Sequence, residues 1–321
     1  MKKIDLFIPG EKRDKGAAMK IFITGASGFI GSHLTARLLE DGHEVAAVGR
    51  SAAASRGAPP RYRYFRADPT DPGDWQAAVS EADIIINLAG KSIFGRWTKR
   101  IKQEIYDSRV LTTRNVVEAL ADSNDALLCS ASGIGYYGNR GEALLTESEP
   151  AGADFLAGLG ADWEKEAMRA ADKGTRVMVM RFGVILSRAG GALEKMIRQF
   201  RSFVGGPVGN GRQWVSWMHL QDLIAAVQFA IATPAIRGPV NFCAPEPVRN
   251  RELARALARR LGRPAVVPTP AFMLKAVLGE FGNVLLDSQR ATPQQLLQSG
   301  FRFKYPQLED ALGEILSAGS V

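Results

Sequence analysis

Met19-Lys-Ile-Phe-Ile-Thr-Gly-Ala-Ser-Gly-Phe-Ile-Gly31 is the stretch from which the fold can be read. A short apolar run (Ile21, Phe22, Ile23) leads into Gly25, Gly28 and Gly31. Ser32 to Glu40 then carries Leu34, Leu38 and Leu39 on one face of an amphipathic helix. Strand, glycine turn and helix in that order make a phosphate cradle. Gly25 permits the tight turn, Gly28 lets the backbone approach a pyrophosphate, and Gly31 lets the helix pack closely on its strand. Around Ser27, Phe29 and Ile30 the free N–H groups of the helix start and the positive end of its dipole face the anion. A glycine triplet alone is weak; the flanking strand and helix make it a dinucleotide-binding fingerprint.

Outward from the cradle, Asp41-Gly42-His43 turns the chain, with His43 a helix-end residue. The strand Glu44–Val48 ends at Gly49-Arg50-Ser51, where this architecture meets the adenosine ribose. A carboxylate there favours NAD, an arginine the 2′-phosphate of NADP. Arg50, helped by Ser51 and Arg56, predicts NADP(H), because one charge-assisted bond of about 1.5–3 kcal/mol sets a preference of tenfold or more. Tyr62–Arg66 reads as an edge strand. Asp68, before Pro69, is either a carboxylate near the adenine or a turn former. Asp74–Val79 is a short helix. Asp83–Gly90 is a buried strand whose end, Leu88-Ala89-Gly90, passes the cofactor, since ligands in open parallel sheets lie beyond the strand C-termini.

Thr98 reads as the N-cap of a helix to about Ala121, with Ile101, Ile105, Val116 and Val117 inward. Ala126–Ser130 is a fifth strand, Ser132–Gly138 the loop leaving it, 153–173 the next helix, and Arg176–Arg181 a sixth strand. This alternation predicts an α/β fold, a Rossmann doubly wound parallel sheet. Beyond Ser187 the pattern loosens into a helix near Leu193–Phe203, a glycine-rich loop (Gly205–Gly211) and a helix over Leu220–Ile231. Pro264, Pro268, Pro270, Pro293 and Pro306 then mark a small mixed C-terminal lobe. The expected organisation is a disordered extension or upstream start (1–18), a Rossmann domain (19–245) whose 187–218 segment joins the substrate lobe, and a small domain (246–321).

The composition, 46% hydrophobic and 23% charged, is that of an ordinary soluble protein. Cys129 and Cys243 are too few for a disulfide framework, fit no metal spacing, and read as reduced core residues of a cytoplasmic protein. The start is too short in apolar run and too charged for a signal peptide, and no later run reaches membrane-spanning length. A net charge of +8 suits nucleic acid or phosphorylated ligands. The basic residues are dispersed, however, and the densest set (Arg251, Arg255, Arg259, Arg260, Arg263) lies opposite Leu253, Leu257 and Leu261. That is a solvated helix face, so neither nucleic acid nor membrane is expected as a partner.

The Thr24-Gly25-x-x-Gly28-x-x-Gly31 turn, the Asn87–Gly90 strand end and Trp217-Met-His219-Leu-Gln-Asp222 resemble the extended or atypical short-chain dehydrogenase/reductases. Five further stretches are similar to the NADP-dependent "epimerase family" branch of that group. They are Arg96-Trp97-Thr98, the Glu104…Ser108-Arg109 helix, the Ser132–Gly138 loop, Asp154-Phe-Leu…Asp162-Trp163-Glu164, and Leu285-Leu-Asp-Ser-Gln-Arg290…Gly300-Phe-Arg-Phe303. The resemblance runs from Met19 to about Leu316. It implies bound NADP(H), a cofactor-contacting Arg109, a small-molecule substrate and a homodimer of the kind common among relatives.

The chain departs from that group at its chemistry. The group uses a tyrosine acid/base with a lysine four residues on. Four residues after Tyr62, Tyr64, Tyr106, Tyr136, Tyr137 and Tyr305 stand Arg66, Asp68, Val110, Arg140, Gly141 and Glu309. Aligned on Glu164, the pair becomes Leu156 and Gly160, and Arg109 replaces the asparagine usual on the long helix. A positioned acid/base contributes about 10²–10⁴-fold, so its loss matters. The substitutes are Ser132, where the group has a serine, and Tyr137 or Tyr136, with Lys91 or Arg109 supplying positive charge. Each also has a bland role: Ser132 as a turn cap, one tyrosine as packing, Lys91 in solvent. Glu104 and Arg109 are expected to pair and wall the cofactor cleft. His219 and Asp222 suit a helix cap and a backbone bond, not a metal. Trp97, Trp214 and Trp217 line a substrate pocket or seal a lobe interface. The expected activity is an NADP(H)-dependent oxidoreductase acting on a carbonyl or hydroxyl held between the Ser132–Tyr137 loop and the 205–217 loop, with nucleotide-sugar epimerisation as a variant. The rival is a non-catalytic NADP(H)-binding regulator acting through a protein partner.

Overall fold

The computed structural model describes residues 18–51, 59–122, 125–265 and 268–317. The expected N-terminal extension, Ala18 apart, and Arg56 lie outside them. The strands are β1 (Lys20–Thr24), β2 (Glu44–Gly49), β3 (Tyr62–Arg66), β4 (Ile84–Asn87), β5 (Leu127–Gly133), β6 (Leu144–Leu145) and β7 (Arg176–Phe182). They continue with β8 (Val184–Leu186), β9 (Trp214–Val215), β10 (Trp217–His219), β11 (Gly238–Phe242), β12 (Val248–Arg249) and β13 (Arg290–Ala291). The helices are α1 (Phe29–Glu40), α2 (Gln76–Ser80), α3 (Lys99–Ala119), α4 (Phe155–Met168), α5 (Gly191–Arg201) and α6 (Leu220–Ala232). The small lobe adds α7 (Asn250–Leu261), α8 (Ala271–Leu278), α9 (Phe281–Val284), α10 (Gln294–Gln298) and α11 (Leu308–Ser317).

Seven strands form one parallel sheet in the order β3-β2-β1-β4-β5-β7-β11. This is the doubly wound Rossmann sheet read from the sequence. Both faces are covered, which is why β1 and β4 are unbroken apolar runs. Ile21 and Ile23 pack with Leu34 and Leu38 of α1 and Leu223 and Val227 of α6. Phe22, between them, packs on the other face with Ile85, Val116 and Val117. Burying each such side chain stabilises the fold by about 1.5–3 kcal/mol. The strand order turns back between β1 and β4, opening a crevice at their carboxyl ends. Register aligns Thr24 with Asn87, and Asn87 with Ser130, in one row along that edge.

Some boundaries differ from the sequence reading. α1 begins at Phe29, not Ser32, so the third glycine lies inside the helix. β5 runs on to Gly133, because Ser132 pairs with Arg181 on β7. Ser132 is thus a strand residue, and the loop expected from it starts two residues later. The seventh strand, β11, was not anticipated: it opens on Gly238-Pro239 and has only Val240 and Phe242 as strong strand formers. The lobe buries Leu253 and Leu257 of α7 against Leu312 and Ile315 of α11 and Leu193 and Phe200 of α5. Among the described residues, no helix is long and apolar enough to cross a membrane.

Candidate functional site

The crevice is built from the β1–α1 turn. Gly25 has φ +74, and a Cβ there would stand 2.9 Å from the Leu88 carbonyl and the Ala89 nitrogen. A Cβ on Gly31 would fall 2.1 Å from the Gly25 oxygen. The backbones of the turn, the helix and the Leu88–Gly90 segment are therefore in direct contact, as a cradle requires. Gly28 caps α1 without a side-chain bond to its first turn, and among the described residues the N–H groups of Phe29, Ile30 and Gly31 have no acceptor. Ser27 is exposed beside them. Phe29 closes the far side, its ring against Gly190, where a Cβ would be 2.8 Å away. Bare backbone, open donors and the positive helix end fit a dinucleotide pyrophosphate.

The row Thr24–Asn87–Ser130 fixes the crevice floor. Thr24 Oγ1 donates to Asn87 Oδ1 at 2.6 Å and accepts from the N–H groups of Leu88 at 3.1 Å and Ala89 at 3.0 Å. Asn87 Nδ2 donates to Thr113 Oγ1 at 2.7 Å and Ser130 Oγ at 3.2 Å, and Trp163 Nε1 to Thr113 Oγ1 at 2.8 Å. The sequence reading quoted Thr24, Asn87 and Trp163 within motifs but did not connect them, and it gave Ser130 and Thr113 no role. The available signal was a polar residue closing each of three apolar strands.

At the end of β2, Arg50 is largely exposed, its Nη1 3.7 Å from Asp68 Oδ2. Asp68 does act as a turn former, Oδ1 accepting from the Thr70 N–H at 3.1 Å and its hydroxyl at 2.8 Å. Its other oxygen faces Arg50. Gly49 lies under the Tyr64 hydroxyl, and Ser51 is exposed next to Arg50.

The expected Glu104–Arg109 ion pair does not form. Glu104 pairs instead with Lys91 and Arg100, which hold its carboxyl below the usual range. Arg109 turns to backbone, Nη1 donating to the carbonyls of Lys91 at 2.9 Å and Ile105 at 3.1 Å, over the Trp163 ring. A five-residue helical spacing leaves the two heads too far round the helix, and each finds a nearer partner. Burial lowers the Arg109 pKa to about 10. Its guanidinium lies directly under Gly90, where a Cβ would be 3.0 Å from Cζ. Lys91 is paired with Glu104 while its side chain stays 41% exposed.

The three catalytic candidates have different surroundings. Ser132 is buried and donates to Glu164 Oε1 at 2.6 Å. Glu164 is held by Arg181 through Nε–Oε1 at 2.8 Å and Nη2–Oε2 at 2.7 Å, both partners buried. Arg181 Nη1 donates to the Tyr137 hydroxyl at 2.9 Å. Tyr137 has no exposed surface, and its hydroxyl faces Asn241 Oδ1 at 2.8 Å and the Thr146 carbonyl at 2.9 Å. Burial pushes its phenol up to about 12. A phenol so enclosed is packing and cannot meet a substrate. Tyr136 is half-buried, its ring face 3.6 Å from the Arg181 guanidinium carbon and its hydroxyl unbonded among the described residues. A Cβ on Gly160 would touch Tyr136 at 3.4 Å, so this ring lies against α4 where the group's lysine would rise. Arg181 and Glu164 were not singled out as site residues. A charge ending the apolar run of β7 was the clue.

The three tryptophans differ in what they meet. Trp97 seals the lobe against Phe281 and Phe155, and Trp217 is fully buried. Trp214 is partly open. His219 caps α6, Nδ1 accepting from the Gln221 N–H at 3.0 Å, and Asp222 accepts from the Lys304 and Tyr305 backbone at 2.8 and 2.9 Å.

A glycine cradle at the switch point of a seven-stranded parallel sheet, under a lobe of its own, defines an extended Rossmann protein. The chain belongs to the NAD dependent epimerase/dehydratase family, whose model matches residues 21–241; a domain of unknown function, DUF1731, matches 269–315. It is similar to the chloroplastic epimerase family protein SDR39U1 homolog of Arabidopsis thaliana, 37% identical over 96% of this chain and 92% of that protein. The crystal structure of human epimerase family protein SDR39U1 with NADPH matches at TM-score 0.82 and 31% identity, over 93% of this chain and 99% of that one. A nucleoside-diphosphate sugar epimerase from Corynebacterium glutamicum matches at TM-score 0.76 and 33% identity, over 94% of this chain and 59% of that one.

Proposed function

We propose that this protein is an NADP(H)-dependent oxidoreductase acting on a carbonyl or hydroxyl substrate. The observation that carries the reading is the uncapped start of α1 over the Gly25–Gly31 cradle, with Arg50 open to solvent at the end of β2. Gly25, Ser27, Gly28, Phe29, Ile30 and Gly31 would hold the pyrophosphate; Gly49, Arg50 and Ser51 the phosphorylated ribose. Asp68 would border the adenine, and Leu88, Ala89 and Gly90 would line the path to the nicotinamide, with Arg109 bracing Gly90 and Glu104 holding Lys91 at the rim. The human relative crystallised with NADPH supports the choice of cofactor. When bound, the nicotinamide gives or takes a hydride at C4.

The proton is the task of this chain's own residues. Tyr136 is the group we assign to it, since its hydroxyl alone of the three candidates is free. Ser132, its proton committed to Glu164, offers lone pairs and so orients a substrate hydroxyl by accepting from it. Nucleotide-sugar epimerisation, the activity named for the Corynebacterium relative, would need the same phenol to move a proton both ways. We place the protein in the cytoplasm, on its two buried thiols.

One observation favours the second reading, a non-catalytic NADP(H)-binding regulator: Leu156 and Gly160 carry neither acid nor cation. The test is NADPH absorbance as the small-molecule fraction of a cell extract is added. Loss of reduced nicotinamide with wild type and Tyr137→Phe, but not with Tyr136→Phe, supports the oxidoreductase. NADPH that binds and survives every fraction turns the reading to the regulator.

A further inference from the structure

Arg109 is a largely buried cation without a counter-ion. It rises from α3 beneath Gly90, and its Nη1 donates to the Lys91 and Ile105 carbonyls and, at 3.5 Å, to the Ser108 hydroxyl. The other edge of its fork, Nη2 and Nε, lies 3.2 and 3.3 Å from the place a Gly90 Cβ would take. That edge makes no hydrogen bond among the described residues. Gly90 itself is exposed, and it puts no side chain between the guanidinium and the crevice. Folded proteins rarely bury a charge unless an opposite charge meets it.

The nearby carboxylates are engaged elsewhere. Glu104, on the same helix, is held by Lys91 and Arg100. On the facing helix α4, Glu164 is held by Arg181, and Glu166 by Arg114 and Arg169. What Arg109 meets on α4 is the Trp163 ring, whose centre is 5.3 Å from Cζ. Its pKa, lowered by burial to about 10, leaves the guanidinium charged at neutral pH. In the group formed by Lys91, Arg100, Glu104 and Arg109, three cations face one carboxylate.

Under the cofactor assignment, Arg50 draws the adenosine half toward β2, and the nicotinamide half runs the other way, past Gly90 at the end of β4. The nicotinamide ring is neutral in NADPH and positively charged in NADP⁺. Fixed positive charge at Gly90 leaves the first undisturbed and repels the second. At the effective dielectric of a protein site, two unit charges within about 10 Å of each other interact strongly enough for tenfold discrimination.

We propose that Arg109 selects the redox state of the cofactor, holding NADPH and turning away NADP⁺. The protein then rests loaded with the reduced form, and its occupancy follows the ratio of NADPH to NADP⁺. By the thermodynamic cycle, a tenfold preference makes the bound couple more oxidising than the free one by about 30 mV. This deepens the cofactor part of the proposed function and rests on it.

The test uses the full chain at constant ionic strength. The NADPH Kd is read from cofactor fluorescence, and the NADP⁺ Kd by competition against it. Wild type should hold NADPH at least tenfold more tightly than NADP⁺. Arg109→Gln should narrow that gap at least threefold, and Arg109→Lys, which keeps the charge, should preserve it. The Kd of 2′-phospho-ADP-ribose, which lacks the nicotinamide, should be the same in all three proteins. A wild-type gap under tenfold overturns the proposal, as does a gap that Arg109→Gln narrows less than threefold. In that second case, weaker 2′-phospho-ADP-ribose binding places the guanidinium on the pyrophosphate. If Arg109→Gln does not bind 2′-phospho-ADP-ribose, Arg109→Met takes its place and is judged alike. Wild type that binds neither cofactor brings down the cofactor reading; wild type that binds both equally leaves that reading standing and overturns this inference alone.

Discussion

Arg181→Met removes a guanidinium that makes four hydrogen bonds: two to Glu164, one to the Tyr137 hydroxyl and one to the Glu147 carbonyl. The partner left behind is the Glu164 carboxyl with one side-chain donor among the described residues, Ser132, at a site where Arg181 is 2% and Glu164 8% exposed. Stranding a buried charge in this way costs about 3–5 kcal/mol. At about 2–4 °C per kcal/mol for a chain somewhat smaller than this one, Tm should fall by about 6–20 °C. Adding Glu164→Gln removes the stranded charge while keeping an acceptor for Ser132, so the double variant should recover about half the loss. Urea unfolding followed by circular dichroism, on wild type, both single variants and the double, measures the coupling directly. A loss below about 1 kcal/mol for Arg181→Met, or a double variant worse than either single, would refute the argument that this ion pair organises the crevice wall.

Gly31→Ala puts a methyl group 2.1 Å from the Gly25 oxygen, backbone against backbone. The cradle must open, and the NADPH Kd should rise at least tenfold in a fluorescence titration. Asp287, desolvated and facing Asp154, has its carboxyl pushed up to about 6. The folded protein thus holds this proton more tightly than the unfolded chain, so the group costs stability as pH rises from about 4 to 6. Asp287→Asn should flatten that part of the pH–stability profile and raise stability at pH 7 by about 1 kcal/mol, solvent screening included; an unchanged profile contradicts the assignment. Thr98→Ala deletes the α3 cap, a 3.2 Å bond from the Ile101 N–H, and should cost about 1 kcal/mol in the same urea assay.

The Rossmann half was legible because its signals are local. Short apolar runs, a glycine turn and an N-cap each specify an element without knowledge of its neighbours. β11 was illegible because a strand on an already formed sheet edge needs little propensity of its own: Gly238-Pro239 is tolerated where β7 supplies the ladder. Most of the cradle residues could be named for the same local reason. The catalytic wall could not be resolved, because Tyr136 and Tyr137 are adjacent in sequence and differ only in what they meet. Asn241 lies 104 residues from Tyr137, and Arg181 44 residues. The Glu104–Arg109 pairing failed for the same reason: Lys91, thirteen residues away, is the nearer cation in space.

We propose that this crevice takes NADP(H) and that Arg50 selects it over NAD(H). The direct measurement is the Kd of NADPH and of NADH for wild type and for Arg50→Asp. Wild type should prefer NADPH by tenfold or more, and Arg50→Asp should lose that preference mainly by weakening NADPH. Equal affinities in wild type, or equal losses of both cofactors in the variant, would contradict it.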